Sequence, residues 1–270
     1  MAQHPNTLTS PPPPHGNHIL LSYPRKHILL LTFNRPDVLN AISKPLQNDL
    51  NTVLNWFEEN LIYGWREDKL SQASDDISNL LDSPRGFGSL SRRQSSKPVI
   101  AAVNGHALGG GSEIVVNCDI VVASENARFG FPEVHVGAVA DQGGIQRLLR
   151  SRDIRYHIST WFWGIVPNWK GISAVDAQNI FRFVNDVVPP DRVLPRALEY
   201  AEAILNQSPD AIRSTKKALN EAVLHGNIED AWKSHVVSSE SRSVYFGANI
   251  TEGLNAFNEK RKPKWVNPKL

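Results

Sequence analysis

The sequence has a single cysteine, no long apolar run and almost no excess of charge of either sign. Cys118 has no second cysteine to pair with, which favours a reducing compartment. No stretch reaches the roughly 20 apolar residues that a membrane-spanning helix needs. The 29 Lys and Arg nearly balance the 27 Asp and Glu, so a net charge of +2 gives no electrostatic basis for binding nucleic acid.

Enough apolar sequence is nevertheless present for a sizeable core, since 41% of the 270 residues are hydrophobic. Residues 1–18, with four consecutive prolines and no Lys or Arg, are predicted to be a flexible tail and do not resemble a secretory signal. At the other end, Pro268-Lys269-Leu270 is close to the Ser-Lys-Leu peroxisomal address. Residues 266–270 are therefore predicted to be an exposed targeting tail for the peroxisomal import receptor, which implies a peroxisomal location.

The hydrophobic pattern predicts an α/β core followed by helices. Strands are expected at His27–Phe33, Val99–Val103 and Ile120–Ala123, with the second buried on both faces, and a helix is expected from about Ser43. A short helix is expected at 77–81, and a mobile loop at 85–96. In the last third, helices are expected over 175–184 (capped by Ser173), up to Leu205 (capped by Asp191), from Pro209 to about His225, over 228–243 and over 251–261.

A triple glycine, Gly109 to Gly111, lies between a predicted strand and a predicted helix. Uncovered N–H groups at such a turn can hold an anion or a developing oxyanion, but the three glycines alone favour close packing of helix against strand. Glu113, Glu133 and Asp141 follow among apolar residues and glycines, where desolvation raises a carboxyl pKa and suits it to proton transfer. Each acid alone is more often a helix cap or an ion-pair partner.

Metal and nucleophile sites receive little support from the sequence. The nine histidines are scattered, with no His-Glu-x-x-His motif and no Cys/His cluster, and Ser112 is not in a Gly-x-Ser-x-Gly elbow.

The run from Lys97 to Arg150 resembles the central signature of the enoyl-CoA hydratase/isomerase, or crotonase, superfamily. Asn34-Arg35-Pro36 resembles the first turn of that family, and Glu252 to Arg261 resembles its closing helix. The resemblance implies a spiral β-β-α core over 19–190 and a C-terminal helical trimerisation region over 191–265. It also implies a homotrimer or hexamer whose substrate is an acyl-CoA thioester, with no separate cofactor.

The resemblance further assigns roles to individual residues. Gly110 matches a backbone donor of the oxyanion hole; Glu113 matches the glutamate that orients and activates water, and Glu133 the one that delivers a proton to C2. Five other positions match residues near the coenzyme A: Arg35, Val38, Ala41, Phe257 and Lys260. The expected reaction is the addition of water across the 2,3 double bond of an enoyl-CoA.

Two departures from the family pattern keep alternatives open. Asp141 stands where hydratases usually have Gly or Ala, and it resembles the dienoyl-CoA isomerase branch, in which two acids, here Glu133 and Asp141, move a proton. Between the first helix and Lys97 the chain lacks an expected strand-turn segment that carries the second oxyanion donor. A weak or inactive acyl-CoA-binding homologue is therefore the third interpretation. Within the family, the chain resembles fungal hydratases of secondary metabolism, including those of host-selective toxin clusters.

Overall fold

The computed structural model describes residues 10–59, 85–150 and 171–268, and the side chains of 149 and 150 are not described. Eight strands are present in these ranges: β1 Ile19–Arg25, β2 Ile28–Phe33, β3 Ile100–Val103, β4 Ala107–Leu108, β5 Ile120–Ser124, β6 Arg128–Gly130, β7 Ile172–Ser173 and β8 Asp186–Val188. The same ranges hold nine α-helices: α1 Lys44–Glu59, α2 Gly110–Val115, α3 Gly144–Arg150, α4 Ala174–Asn179, α5 Val193–Leu205, α6 Pro209–Leu224, α7 Ile228–Val236, α8 Ser239–Phe246 and α9 Ala248–Asn258. None of these helices is both long and apolar enough to cross a bilayer.

The first layer is an antiparallel hairpin of β1 and β2 covered by α1. The hairpin turns at His27, which has a φ of +66°, and its register shifts between Ser22 and Arg25. The predicted strand from His27 and the predicted helix from Ser43 are confirmed as β2 and α1. Helical spacing places four side chains of α1 in the core: Leu46, Leu50, Val53 and Trp56.

Two three-stranded sheets form the middle of the molecule. In the first sheet β5 pairs in parallel with β3 on one side and with β8 on the other. In the second, β6 pairs in parallel with β4 and antiparallel with β7. The strand predicted at Val99–Val103 is confirmed as β3, but it is not buried on both faces. Ala102 is exposed, because its face of β3 lines an open cavity beside α5.

The main core lies between these sheets and the short helices that connect them. Its largest fully buried side chains include Val121 of β5, Phe129 of β6 and Leu148 of α3. Phe129 also meets Phe183 edge-on, with ring centroids 5.3 Å apart. The glycine turn joins a strand to α2, and another strand follows α2, so the turn lies directly against this core.

The C-terminal region is helical, as predicted, with four differences in detail. The last helix, expected over 251–261, runs over Ala248–Asn258. Ser173 caps α4, where its Oγ accepts from the Asp176 N–H, but the helix ends at Asn179, well before residue 184. Asp191 is not a cap, because it lies in the short 3₁₀ turn Pro190–Arg192 that precedes α5. The helix predicted over 228–243 is split into α7 and α8, since Ser238 caps a new helix there.

Several expectations concern segments that the structure describes only in part. The predicted helix at 77–81, residues 1–9 of the tail, most of the position of the missing strand-turn segment, and Lys269 and Leu270 lie outside the described residues. Of the tail that is described, the Ser10 hydroxyl accepts from the Trp56 indole at 3.0 Å. At the other end, Val266 exchanges two hydrogen bonds with Asn249.

Candidate functional site

The glycine turn begins α2 and leaves room where side chains would not fit. Gly109 has a φ of +57°, and a Cβ at this position would lie 2.8 Å from Glu133 Oε1. A Cβ on Gly110 would overlap the ring of Phe87. The turn therefore needs glycine for close packing, and the absence of a side chain on Gly109 lets the Glu133 carboxyl lie against the turn. Since α2 has only six residues, individual N–H groups matter here more than the helix dipole.

Glu113 lies one turn into α2 and is only 3% exposed. Its Oε1 accepts hydrogen bonds from the N–H groups of Gln142 at 2.8 Å and Gly144 at 3.1 Å. Burial raises the pKa of this carboxyl, and the charges of Glu133 and Asp141 also raise it, while the two backbone donors oppose the change. Glu113 is thus held in a fixed orientation and kept easier to protonate than an exposed glutamate.

Glu133 lies in the 3₁₀ turn Pro132–Val136, which follows β6. Its Oε2 is buried and has no hydrogen-bond partner among the described residues. Burial raises the pKa of this carboxyl, and the charge of Asp141 raises it further. A buried carboxyl oxygen without a partner is costly when ionised, so the environment of Glu133 favours its protonated form.

Asp141 lies at the edge of the same cluster and is exposed. Its Oδ1 accepts from the side-chain amide of Gln142 at 3.1 Å. The structure therefore brings together four of the residues singled out in the sequence: Gly110, Glu113, Glu133 and Asp141. The two glutamates are inside the cluster and the aspartate is on its solvent side.

The five positions matched to the coenzyme A lie on two separate exposed segments. In the turn after β2, the Arg35 guanidinium donates to the Ala41 carbonyl, and Val38 is 45% exposed. At the end of α9, Phe257 is 83% exposed, and Lys260 lies in the following turn with a φ of +53°. In the ranges described, no hydrogen bond or ion pair joins these residues to the glutamates.

Sequence reasoning missed the segment that closes the site from the side of α1. The predicted mobile loop at 85–96 is irregular, but Gly88, Ser89 and Ser91 are buried within it. The ring of Phe87 contacts the glycine turn. The Ser91 hydroxyl donates to the Gln142 carbonyl at 2.8 Å and so contacts the segment whose N–H groups donate to Glu113. A further missed feature is Gly144, where a Cβ would lie 2.7 Å from Glu113 Cγ.

Comparison with known sequences identifies the family. A sequence model described as enoyl-CoA hydratase/isomerase matches residues 88–268. A mevalonyl-coenzyme A hydratase of Aspergillus fumigatus is 39% identical over 266 residues, which cover 93% of this chain and 96% of the relative. The chain belongs to the enoyl-CoA hydratase/isomerase family. Its relatives also include a short-chain-enoyl-CoA hydratase of Clostridium acetobutylicum, 34% identical, with 91% of this chain and 96% of the relative covered.

Comparison with solved structures agrees with this membership. An enoyl-CoA hydratase/isomerase from Mycobacterium paratuberculosis superposes with a TM-score of 0.77 at 28% identity, and the match covers 94% of this chain and 99% of that one. The crotonase-type α/β fold predicted from the sequence is therefore confirmed. By resemblance to its named relatives, this member of the family is an enzyme of the enoyl-CoA hydratase type that acts on acyl-CoA.

One relative also bears on the length of the chain. A mevalonyl-coenzyme A hydratase of Beauveria bassiana is 32% identical over 291 aligned positions, which cover 98% of this chain and all of the relative. Because 291 positions exceed the 270 residues of this family member, the alignment must place gaps in it.

Proposed function

We propose that this enzyme adds water reversibly across the 2,3 double bond of an enoyl-CoA thioester, using Glu113 and Glu133 as its two proton-handling groups. The observation that carries the proposal is a pair of glutamates beside one glycine turn, Glu113 buried and Glu133 half-buried with its Oε2 enclosed, both with raised pKa values. Carboxyls whose pKa values are raised toward neutral pH exchange protons efficiently in general acid–base catalysis.

The proposed chemistry divides the work among three groups. The Gly110 N–H would bind the thioester oxygen, where negative charge develops as water attacks C3. Glu113, fixed by its two backbone donors, would accept the proton that the water loses. Glu133, whose environment favours the protonated form, would deliver a proton to C2. The reverse sequence removes water from a 3-hydroxyacyl-CoA.

The substrate class is proposed from the relatives. Two fungal relatives at 39% and 32% identity are named mevalonyl-coenzyme A hydratases, and mevalonyl-CoA is a 3-hydroxyacyl thioester with a methyl branch at C3. We therefore propose a branched 3-hydroxyacyl-CoA of this kind, with its 2-enoyl product, as the first substrate pair to test. A role in toxin assembly stays a prediction from the sequence.

Dienoyl-CoA isomerisation is the second candidate, and Asp141 is the observation that favours it. Its charge raises the pKa of both glutamates, so an acid is present on the solvent side of Glu133. Proton transfer along a conjugated chain would use Glu133 and Asp141 and would not need Glu113. The isomerase proposal thus differs from the hydratase proposal in its dependence on one residue.

Assembly and location are also proposals. Several large apolar side chains of the C-terminal helices are exposed, as expected of a surface that other subunits cover in a trimer: Ile228, Trp232, Phe246 and Phe257. The peroxisomal assignment depends on the ending Pro268-Lys269-Leu270, and a fluorescent fusion with and without those three residues tests it.

The deciding experiment measures ultraviolet absorbance of the purified enzyme with each substrate. A 2-enoyl-CoA, mevalonyl-CoA and a 3,5-dienoyl-CoA are supplied separately. Glu133→Gln and Glu113→Gln are compared with Glu125→Gln, a matched change of an exposed glutamate after β5. The hydratase is supported if the wild type consumes the enoyl absorbance of the 2-enoyl-CoA, or produces such absorbance from mevalonyl-CoA, and both active-site variants abolish the change.

Other outcomes separate the alternatives. Growth of 2,4-dienoyl absorbance that survives Glu113→Gln but not Asp141→Asn supports the isomerase. No turnover, combined with thermal stabilisation by acyl-CoA, supports a binding homologue that lacks its second oxyanion donor. Removal of one such donor raises a barrier by about 2.7–4 kcal/mol. No turnover and no stabilisation contradicts all three proposals.

A further inference from the structure

The hydroxyl of Ser91 lies between the two parts of the candidate site. Ser91 is fully buried. Its Oγ donates to the Gln142 carbonyl at 2.8 Å and accepts from the Phe87 N–H at 2.8 Å. The Gln142 carbonyl belongs to the peptide unit between Gln142 and Gly143. The units on either side of it carry the N–H groups of Gln142 and Gly144, which donate to Glu113 Oε1.

We propose that Ser91 is a positioning residue that holds these two peptide donors on Glu113 and so fixes the orientation of that carboxylate. The inference rests on the proposed role of Glu113 and deepens it. Ser91 itself does not reach Glu113 in the structure. It acts by anchoring the middle peptide unit, and displacement of that unit would shift the two neighbouring N–H groups with it.

Ser91 and Arg147 hold neighbouring carbonyls of the 142–144 segment: Ser91 donates to that of Gln142, while the Arg147 N–H at 3.2 Å and its Nη1 at 3.3 Å donate to that of Gly143. Gly143 has a φ of +102°, a conformation that a non-glycine residue rarely adopts, and Gly144 has no side chain to pack. Because two consecutive glycines restrict the backbone less than other residues do, the hydrogen bonds on these carbonyls define its conformation. A buried hydrogen bond at the preceding carbonyl supplies the restraint that side-chain packing supplies elsewhere.

The charged groups around Glu113 give the proposal a pH-dependent test. Glu133 and Asp141 raise the pKa of Glu113, the Arg147 guanidinium interacts with its charge, and the two backbone donors lower its pKa. Ser91→Ala leaves all of these side chains in place and loosens only the donors. The ionised form of Glu113 then loses stabilisation, and its pKa rises further.

The experiment compares four proteins: wild type, Ser91→Ala, Glu113→Gln and the double variant. Their melting temperatures are measured between pH 4 and pH 8. Glu113→Gln removes the cost in stability that the ionised carboxylate imposes at high pH. The increase in melting temperature that this variant gives at pH 8, less the increase at pH 4, is its advantage and reports that cost. We expect this advantage to be larger in the Ser91→Ala background, by about 2 °C or more. An equal advantage in both backgrounds overturns the proposal, whether or not the enzyme shows turnover.

Kinetics supply the second readout where turnover is found. We expect Ser91→Ala to lower kcat about tenfold and to move the acid limb of its pH profile to higher pH, because a positioned group loses alignment. Ser89→Ala is the matched control, since Ser89 is also buried and makes no side-chain hydrogen bond within the described ranges. A shift of the same size in Ser89→Ala contradicts a specific role. If Ser91→Ala does not fold, Ser91→Cys, which keeps a weak donor of similar size, is expected to give smaller changes in the same direction.

Discussion

The ring of Phe87 occupies the space that a side chain on Gly110 would need. Gly110 begins α2, while Phe87 lies in an irregular segment that precedes β3. A Cβ on Gly110 would lie 2.1 Å from a carbon of the half-buried ring, so the ring would have to shift to admit it. We expect Gly110→Ala to lower the free energy of unfolding by about 1–3 kcal/mol, the usual cost of overpacking.

A double-mutant cycle with Phe87→Ala checks this prediction. The smaller side chain makes room for the new methyl group, so Gly110→Ala is expected to cost much less in the Phe87→Ala background. Urea unfolding of the four proteins gives the coupling energy. Equal costs in the two backgrounds would show that the ring is not what restricts Gly110.

The pH dependence of stability provides a prediction for Glu133. Because the pKa of this carboxyl is raised in the folded state, the folded protein keeps its proton to a higher pH than the unfolded chain does. Stability contributed by this group therefore falls as the pH rises above about 4.3, the ordinary value for glutamate. We expect Glu133→Gln to raise Tm by about 1–3 °C at pH 8 and to leave it unchanged at pH 4.

Differential scanning calorimetry at the two pH values measures the effect. Glu125→Gln, on the exposed Glu125, controls for the general loss of one negative charge. A Tm for Glu133→Gln below that of wild type at pH 8 would mean that the ionised carboxylate stabilises the fold, contrary to the burial argument.

The local sequence was sufficient to predict the central part of the site. Glu113 and Glu133 follow a glycine turn and two apolar strands, and those patterns fix which elements carry them. Phe87 and Ser91 could not be predicted, because their segment (RGFGSLSRRQSS) has the composition of an exposed loop. Its burial depends on distant residues, such as Ile42 and Ile114, which approach Gly88 because it has no side chain.

Secondary-structure errors have the same origin. Strand β1 was missed because Pro24 interrupts its apolar pattern, and pairing with β2 supplies what its own sequence does not. The helix expected to reach residue 184 ends at Asn179, because the chain beyond it leaves the helical path and buries Phe181 and Val184 in the main core. In each case a tertiary contact outweighs a local preference.

Cys118 is predicted to be unreactive in the folded protein. Burial raises the pKa of its thiol to about 12, and its Sγ lies 3.4 Å from the Ile114 carbonyl. Since the thiolate is the reactive form, we expect iodoacetamide at pH 8 to modify the native protein at least 100-fold more slowly than the urea-unfolded chain. Mass spectrometry follows the reaction without ambiguity, because Cys118 is the single cysteine of the sequence. Similar rates in the two states would contradict the burial of this thiol.

Glu221 is predicted to stabilise the packing of α6 on α7 in a pH-dependent way. Its carboxylate is buried and accepts from Lys217 and Ser234, both at 2.6 Å, and from His225 at 3.0 Å. These partners lower the pKa of Glu221 to about 2, and the hydrogen bonds from Lys217 and Ser234 have the largest effect. A lowered carboxyl pKa contributes stability that is complete above about 4.3 and is lost as the pH falls toward 2.

We therefore expect Glu221→Gln to lower the free energy of unfolding by about 1–2 kcal/mol at pH 7, the contribution of hydrogen bonds to a charged group. The difference from wild type should shrink as the pH falls below 4. Glu229→Gln, an exposed position in the first turn of α7, is expected to change stability by less than about 0.5 kcal/mol at either pH. Urea unfolding at pH 7 and pH 3 measures both variants. A loss for Glu221→Gln that is the same at the two pH values would mean that packing, and not the ionised carboxylate, is what this position contributes.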